Sequence, residues 1–580
     1  MRKTKKQKPL YTPMQRFWQL LASEKREIVY LYIYAIIAGM ISLSLPLGIQ
    51  SIIAFVSSGQ LTASVVVLIS LIVLGLLIVG GMQVMQLWLV EYIQQRIFAK
   101  TAFDFAFRVP RLQMESLHKH YPPELMNRFF DTVSLQKSMA MLLTDFTAAA
   151  VQIVFGLLLL SFYHPYFIVF SFFLVLVLLA IFYFTGPRGI DSSITESKYK
   201  YKLVAWLQEM ARSMNTFKLS GQSDLPMEKT NSYVSNYLKF RKQHFRVLMT
   251  QYFSFVGFKT IITGGLLVLG CVLVIKREIN IGQFVASEIV IILIMTAVEK
   301  IIMKLDTIYD LLTSLDKLGQ VTDLPLEQET GMAISNNTQS LSIQVNNLRF
   351  RYPDKDAYAI KGISFEIRPS ERVCIAGFNR SGKSTLSQLL LGLYDDYEGS
   401  IAYNNLSLRD IQKSSLRHLI GNNTSTEQVF EGTILENITL GLPDVPIEDV
   451  VWATDCVGLT SFIHALPEGL QTNLTGGSLR LPASVSRKII MARCLVLRPK
   501  MLLLDDFWSG MEKHEKMRLL QLFASPDFDW TLLIISNDPD VMATCDRTLL
   551  LRDGKLVSSG SFDEVRSSKY YQQLADLTAS

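Results

Sequence analysis

The sequence predicts a multidomain membrane protein, with an all-α six-helix transmembrane domain followed by an α/β P-loop domain. Three observations predict it. Six long apolar segments fall within residues 28–305. Residues 340–580 alternate short strand-like and helical patterns instead. Between a strand pattern and a helix, residues 376–386 read "AGFNRSGKSTL", a glycine-rich loop closed by Gly-Lys-Ser-Thr.

The apolar segments come first. A spanning helix needs about 20 apolar residues. Six stretches qualify, at roughly 28–56, 62–90, 139–162, 165–186, 251–275 and 280–302. Buried soluble helices rarely carry runs this long. Tight links at "SSGQL", "YHP" and "KREIN" join the spans as three hairpins, which two long polar stretches separate. The stretch 91–138 carries seven Lys/Arg and 187–250 carries eleven, whereas "SSGQL" and "YHP" carry none. Positive-inside bias places the long stretches and both termini in the cytosol, with Lys276 and Arg277 a mild exception.

Each polar stretch has room for two helices of about 20 residues, reaching about 30 Å below the bilayer. The distal turns are expected at "HYPPELMN" (120–127), where Pro122 and Pro123 break a helix, and at "KLSGQSD" (218–224). Residues 11–26 ("YTPMQRFWQLLASEKR") read equally as an amphipathic helix on the cytosolic leaflet or as an extension of the first span. Asp145 and Lys259 fall near cytosolic span ends, where snorkelling or pairing is expected. Glu288 lies deeper; with Gln50, Gln83 and Gln86 it is a candidate cavity residue.

Composition narrows the class. Of 580 residues, 49% are hydrophobic, and the net charge is only +6. The basic residues lie in loops between apolar runs rather than in one patch, so a nucleic-acid partner is not expected. The five cysteines form no CxxC pair and read as reduced cytosolic thiols. The first apolar run starts too far in for an ordinary signal peptide. Domain boundaries are expected at 1–27 (cytosolic segment), 28–317 (six spans), 318–340 (polar linker) and 341–580.

The second half carries the chemistry. The strand pattern "RVCIAG", the glycine-rich loop and the following helix form the context that a P-loop requires. The backbone N–H groups of 378–385 are placed to line phosphates, which makes Gly377, Asn379, Arg380, Ser381, Gly382 and Thr385 candidate nucleotide-binding residues. Lys383 supplies positive charge, and Ser384 is a Mg²⁺ ligand. Downstream, "KMLLLDD" (500–506) is a buried strand that delivers Asp505 to the metal side. ATP and Mg²⁺ are therefore the expected ligands.

Six spans, two long cytosolic loops and this domain together resemble an ABC-type exporter half-transporter, over nearly the whole chain. "FRYPD" (350–354) is similar to the family's adenine-stacking loop, with Tyr352 as its aromatic. "VFEGTILENITLG" and "LRDGKLVSSGSFDEV" resemble further family segments, and "SLPLGIQSIIAFVSSG" faintly resembles type I protein-secretion exporters. The resemblance implies a multi-pass protein of a bacterial-type inner membrane, in contact with its lipid, with the ATP-binding domain in the cytoplasm. It also implies a homodimer, or a heterodimer with another half-transporter. No peptidase-like segment precedes the spans, so leader cleavage by this chain is not expected.

The departures from the family pattern are concentrated in one site. Arg380 stands where the family has a further P-loop glycine; pairing with nucleotide and pointing to solvent are both open to it. The family's Leu-Ser-Gly-Gly-Gln signature reads Leu481, Pro482, Ala483, Ser484, Val485. In the family this turn grips the γ-phosphate bound to the opposite subunit. Pro482 has neither hydroxyl nor N–H, and Ala483 and Ser484 add a Cβ where glycine allowed close approach. The catalytic glutamate is Asp506, one methylene short. The switch histidine is Asn537, which does not titrate near neutral pH. The loop glutamine is Ser425, and Glu512 replaces a further aspartate.

With Lys383 and Asp505 kept, this pattern implies nucleotide binding with hydrolysis slow or lost. Two functions fit. One is an exporter or flippase half moving cargo, peptide or protein or lipid-like, out of the cytoplasm. The other is an accessory or regulatory membrane subunit that binds ATP without turnover. The cargo is not legible in the sequence.

Overall fold

The computed structural model describes residues 11–579 except 58–62, 119, 222, 336–339, 425–427, 475–480, 507, 509 and 510. The chain divides into two units. One contains Met1–Leu112 and His120–Pro325; the other contains Gln113–Lys119 and Leu326–Ser580.

The first unit is helical. Six of its segments are long and apolar enough to cross a membrane: Lys25–Val56, Ala63–Arg111, Pro122–Tyr163, Pro165–Arg212, Leu225–Ile275 and Ile281–Thr322. Each expected span falls within one of them. Three are single helices of 46, 48 and 51 residues. At 1.5 Å per residue these run about 70–75 Å, more than twice the hydrocarbon thickness. In these three the polar stretches therefore continue the spans as unbroken helix, whereas the leg leading into the third span is divided by a 3₁₀ turn at Asn127–Phe130 and a π-turn at Leu142–Phe146. Pro187 lies inside the helix Pro165–Arg212 without ending it.

The expected distal turn at 120–127 coincides with an interruption of helix between Leu117 and Pro122, and Pro122 and Pro123 follow that interruption rather than ending a helix. They open the short helix Pro122–Met126, where a missing N–H costs nothing. The expected turn at 218–224 does hold a left-handed Gly221, φ +72. The N-terminal helix Pro13–Ser23 is separate from the first span, with a Thr12/Gln15 capping box and Trp18 exposed. Arg16 ties it to Asp323. The helix from Leu305 runs to Thr322, into the residues expected as linker.

The second unit is built on two sheets. Its strands are β1 (Ile343–Phe350), β2 (Ile360–Ile367), β3 (Arg372–Gly377), β4 (Glu398–Tyr403), β5 (Leu406–Ser407), β6 (Ile420–Asn423), β7 (Met501–Asp505), β8 (Thr531–Ile535), β9 (Arg547–Arg552) and β10 (Lys555–Gly560). An antiparallel sheet has the order β2-β1-β4-β5, and a six-stranded sheet the order β10-β9-β3-β8-β7-β6. In the larger sheet β9, β3, β8, β7 and β6 are parallel, and β10 is an antiparallel edge. β7 and β8 are buried along their whole length, as a parallel sheet covered on both faces requires. Cys374 and Leu504 belong to one apolar core, and Ile375 and Leu503 to the other.

This order places the carboxyl ends of β3, β8 and β7 side by side. Ligands of open α/β sheets bind at such strand ends.

Candidate nucleotide site

The glycine-rich loop leaves β3 and closes at Gly382, which begins the helix Lys383–Leu390. Gly382 has φ +100, and a Cβ there would lie 2.8 Å from Ile360 Cδ1. Glycine meets both demands. Arg380 has φ +64 and meets the same left-handed demand with a full side chain, at a cost of about 1–2 kcal/mol. That side chain stands exposed at the cavity rim.

Lys383 Nζ donates to the carbonyls of Gly377 at 2.6 Å and Phe378 at 3.0 Å. Burial draws the ammonium's pKa down, while Asp505 and Asp506 oppose the shift. Asp505 ends β7 with the Ser384 hydroxyl beside its carboxylate. Burial raises the Asp505 carboxyl above the usual carboxylate range; Ser384 opposes that rise and Asp506 adds to it.

Asp506 turns into the left-handed region at φ +42, and its N–H donates to Ile535 O at 3.0 Å. Burial raises its carboxyl as well, against the nearby Arg487. At the end of β8, Asn537 Oδ1 accepts the Gly377 N–H at 2.9 Å. The switch position is thus committed to the loop backbone.

These groups surround a cavity of about 440 Å³, within the range of small-molecule sites. Its lining contains Asn379, Arg380, Ser381, Gly382, Lys383, Ser384, Thr385, Asp505, Asp506, Asn537 and Asp538. The donor set fits a nucleotide's phosphates. Ser381 Oγ is buried with no hydrogen-bond partner among the described residues, and Lys383 lines the same cavity; the Gly377 N–H, however, is taken by Asn537 and Gly377 is off the lining.

Other predicted residues lie elsewhere. Tyr352 is not on the lining. Its ring packs on Phe350, Tyr394 and His118, and its hydroxyl pairs with Thr385 Oγ1 at 2.9 Å. Leu481 to Val485 are also off the lining; Pro482 caps the helix Ala483–Leu495 without a side-chain bond. Ser425 is outside the described residues.

Sequence reasoning missed Arg487, Lys516 and Asp538. Arg487 acts on Asp506 from the helix after the signature. Lys516 pairs with Asp538 beside the switch position. Only the adjacency of Asp538 to Asn537 signalled any of them.

In the helical unit, Lys259 pairs with Glu299 at 2.6 Å and Asp145 with Lys300 at 3.6 Å. Both are paired, as their position near span ends suggested. Gln83 and Gln86 share one cavity. Gln50 borders another and accepts from Tyr163. Glu288 lies on neither lining and sits beside Gly270.

Comparison with known proteins agrees with this architecture. The family described as ABC transporter transmembrane region matches residues 28–298, and ABC transporter matches residues 360–509. Together they span most of the chain. An uncharacterized ABC transporter ATP-binding protein, YfiB of Bacillus subtilis, is 31% identical over 45% of this chain and 45% of its own length. The lactococcin-G-processing and transport ATP-binding protein LagD of Lactococcus lactis is 26% identical over 51% of this chain and 42% of its own. The leukotoxin translocation ATP-binding protein LktB of Mannheimia haemolytica is 28% identical over 53% and 44%. The chain thus spans less than half the length of these relatives. The solved structure of a bacterial Atm1-family ABC exporter with ATP bound shares the fold, with TM-score 0.82 and 19% identity, over 96% of this chain and 99% of the other. Six spans, a P-loop site on a parallel sheet and these matches lead to one assignment: the chain belongs to the ABC transporters and has the fold of an ABC exporter, a multi-pass inner-membrane protein with its ATP-binding domain in the cytoplasm.

Proposed function

We propose that this chain is one half of an exporter whose own ATP site holds nucleotide and hydrolyses it slowly or not at all. The carrying observation is the contrast within one cavity. Lys383, Ser381 and the Ser384–Asp505 pair converge as phosphate and Mg²⁺ binding require. The positions that would activate water hold Asp506 and Asn537 instead, and Asn537 is engaged by Gly377.

In this reading Ser384 and Asp505 ligate Mg²⁺, Lys383 neutralises the β- and γ-phosphates, and Tyr352 faces the base. Hydrolysis needs a base to take a proton from the attacking water. Asp506 is one methylene short of the family's glutamate, and misplacing a catalytic group by about 1 Å costs on the order of a hundredfold. Leu481 to Val485 would meet the nucleotide of a second half-transporter. A homodimer would then carry the deficit in both sites; an intact partner would restore one element of each. The cargo is peptide, protein or lipid-like, a class supported by two relatives named for lactococcin G and leukotoxin transport.

The test measures ATP binding and turnover on one lipid-reconstituted preparation. Binding without turnover, lost in Lys383→Ala and converted to turnover in Asp506→Glu/Asn537→His, is the expected result. Turnover in the unaltered chain that Lys383→Ala abolishes would overturn the degenerate-site reading. Binding with no ATP-dependent cargo movement, alone or with a partner half, would move the assignment to an accessory subunit.

A further inference from the structure

A cluster of buried cations and hydroxyls lies in the helical unit, outside the expected spans. Three elements form it: the turn Asn127–Phe130 with the helix Asp131–Met141, the helix Pro165–Arg212, and the helix Leu305–Thr322. Ser193 Oγ and Thr313 Oγ1 pair at 2.8 Å and fix the last two helices against each other. One turn further along these helices, Ser197 and Lys317 follow on the same faces. Arg128 joins them from the first element, its guanidinium 3.9 Å from the centre of the Tyr201 ring. Thr132 shares the face of Arg128, one turn on.

Arg128, Asp131, Thr132, Ser197 and Lys317 are each more than nine-tenths buried. Their charges do not balance. Two cations face one carboxylate, and that carboxylate already accepts from the Tyr201 hydroxyl. Glu124, Asp316 and Lys200 stand at the more exposed rim, where Glu124 accepts from Arg128 Nη2 at 3.2 Å. Buried charges are normally paired, and a guanidinium cannot shed its proton. Yet Arg128 Nε and Nη1 have no hydrogen-bond partner among the described residues. The Tyr201 hydroxyl lies close by, but its proton goes to Asp131. The hydroxyls of Thr132 and Ser197 are likewise buried without a partner among the described residues. Other hydroxyls in this unit donate to the carbonyl four residues back, as Thr144 does to Ala140 and Ser171 to Phe167, both at 2.8 Å. Thr132 and Ser197 forgo the bond that their own helix offers.

The missing group is an acceptor that carries negative charge. A buried water could satisfy the two hydroxyls, but it would leave the excess positive charge uncompensated. We infer that this cluster binds a small monovalent anion of the halide type, held by the Nε–Nη1 edge of Arg128, the Lys317 ammonium and the hydroxyls of Thr132 and Ser197. One buried positive charge is left over, which sets the valence. The depth of burial of all four side chains sets the size. The bound anion would bridge three elements that carry the polar legs of the third, fourth and sixth spans, and so stabilise their packing.

The test uses the full chain in phosphatidylcholine nanodiscs, without nucleotide, as sodium chloride or bromide replaces sodium gluconate at constant ionic strength. Tryptophan fluorescence follows thermal unfolding; Trp206 is buried shortly beyond Tyr201 on the same helix. Broadening of the chloride NMR line reads binding directly. The expected result is a saturable rise in melting midpoint of about 2–4 °C, with chloride broadening over the same concentration range. Lys317→Met leaves one buried guanidinium opposite one carboxylate. It is expected to abolish both effects while the midpoint in gluconate stays equal or rises, which a merely damaged fold does not give. Thr132→Val removes one hydroxyl at nearly constant shape and is expected to weaken chloride binding about fivefold. No broadening beyond that of Lys317→Met, with one midpoint in all three salts, would overturn the inference and leave buried water as the occupant. A chloride response that survives both substitutions would overturn it by placing the anion elsewhere. A larger rise in sulfate than in chloride, lost in Lys317→Met, would overturn the monovalent assignment in favour of an oxyanion.

Discussion

Arg380 sets a backbone cost against a charge. Its φ of +64 disfavours any residue with a Cβ by about 1–2 kcal/mol. Arg380→Gly removes that cost but gives the unfolded chain extra freedom, worth about 0.4–1 kcal/mol. The net expectation is a gain of about 0.5–1 kcal/mol. For a domain of roughly this size, 1 kcal/mol shifts the melting midpoint by about 2–4 °C, so the rise should be about 1–4 °C. Arg380→Ala is the internal control, since it deletes the guanidinium and keeps the Cβ. The assay is thermal unfolding of the full chain in nanodiscs, followed by tryptophan fluorescence; Trp508 and Trp530 are buried in the nucleotide unit. A rise in Arg380→Gly and none in Arg380→Ala is the expected pair. Equal rises would assign the effect to charge and refute the backbone account. A fall in Arg380→Gly would refute it outright.

Other expectations concern the same cavity. Asn537→Ala leaves the Gly377 N–H without its acceptor; a neutral hydrogen bond is worth about 0.5–1.5 kcal/mol, so ATP affinity should weaken about 2- to 10-fold in equilibrium binding. Tyr352→Phe removes the hydroxyl held by Thr385 and should lower the melting midpoint, by an amount worth about 1 kcal/mol, while a ring remains to stack on the base. The Asp505 and Asp506 carboxyls are both raised, chiefly by burial. The folded state therefore takes up their protons more readily than the unfolded chain. Their charged forms cost stability at neutral pH, and that cost is relieved as pH falls through the raised values. Mg²⁺ needs the charged form of Asp505, so Mg²⁺-dependent nucleotide affinity should fall as pH drops through its raised value, starting above the usual carboxylate range. An affinity flat from pH 7 to pH 4.5 would count against Asp505 as a metal ligand.

The spans were legible because the bilayer imposes a length and a composition that no other environment demands so strongly. The P-loop was legible because close backbone approach restricts residue choice, as at Gly382. Pro122 and Pro123 marked the turn, but not that they open the next helix, because proline's effect depends on position. It breaks a helix interior and is well suited to a first turn, and only the fold says which applies. The Asn537–Gly377 bond was hidden for a different reason. Its partners lie 160 residues apart, and the strand order β3-β8 that joins them is a tertiary fact. Arg487 was hidden likewise, since its action on Asp506 depends on how a helix packs beside β7. Arg128 was visible as a basic residue in a polar stretch, but the absence of partners at its Nε and Nη1 could be seen only in three dimensions.

Pro482 separates what a helix needs from what a second subunit needs. The helix Ala483–Leu495 starts at Pro482 with φ −54 and ψ 142, no side-chain cap and no acidic residue in its first turn. That φ suits the proline ring, so the backbone is unstrained and the deficit is the missing cap. A serine there would accept from a first-turn N–H and add about 1 kcal/mol. Pro482→Ser adds that cap but gives up the ring's restraint on the unfolded chain, about 0.4–1 kcal/mol, so without ligand it should raise the melting midpoint of the nucleotide unit only slightly. Pro482→Ala supplies no cap and loses the ring's restraint on the unfolded chain, so it should lower the midpoint. Adding Mg-ATP then isolates the second role. If the turn also grips nucleotide across a dimer, the serine should enlarge the ATP-induced rise beyond its ligand-free gain, and the excess should grow with protein concentration as dimers form. A ligand-free gain with no such excess would mean that the cap alone was lost at 482, and that the weakness of the opposing grip lies in the side chains of Ala483 and Ser484.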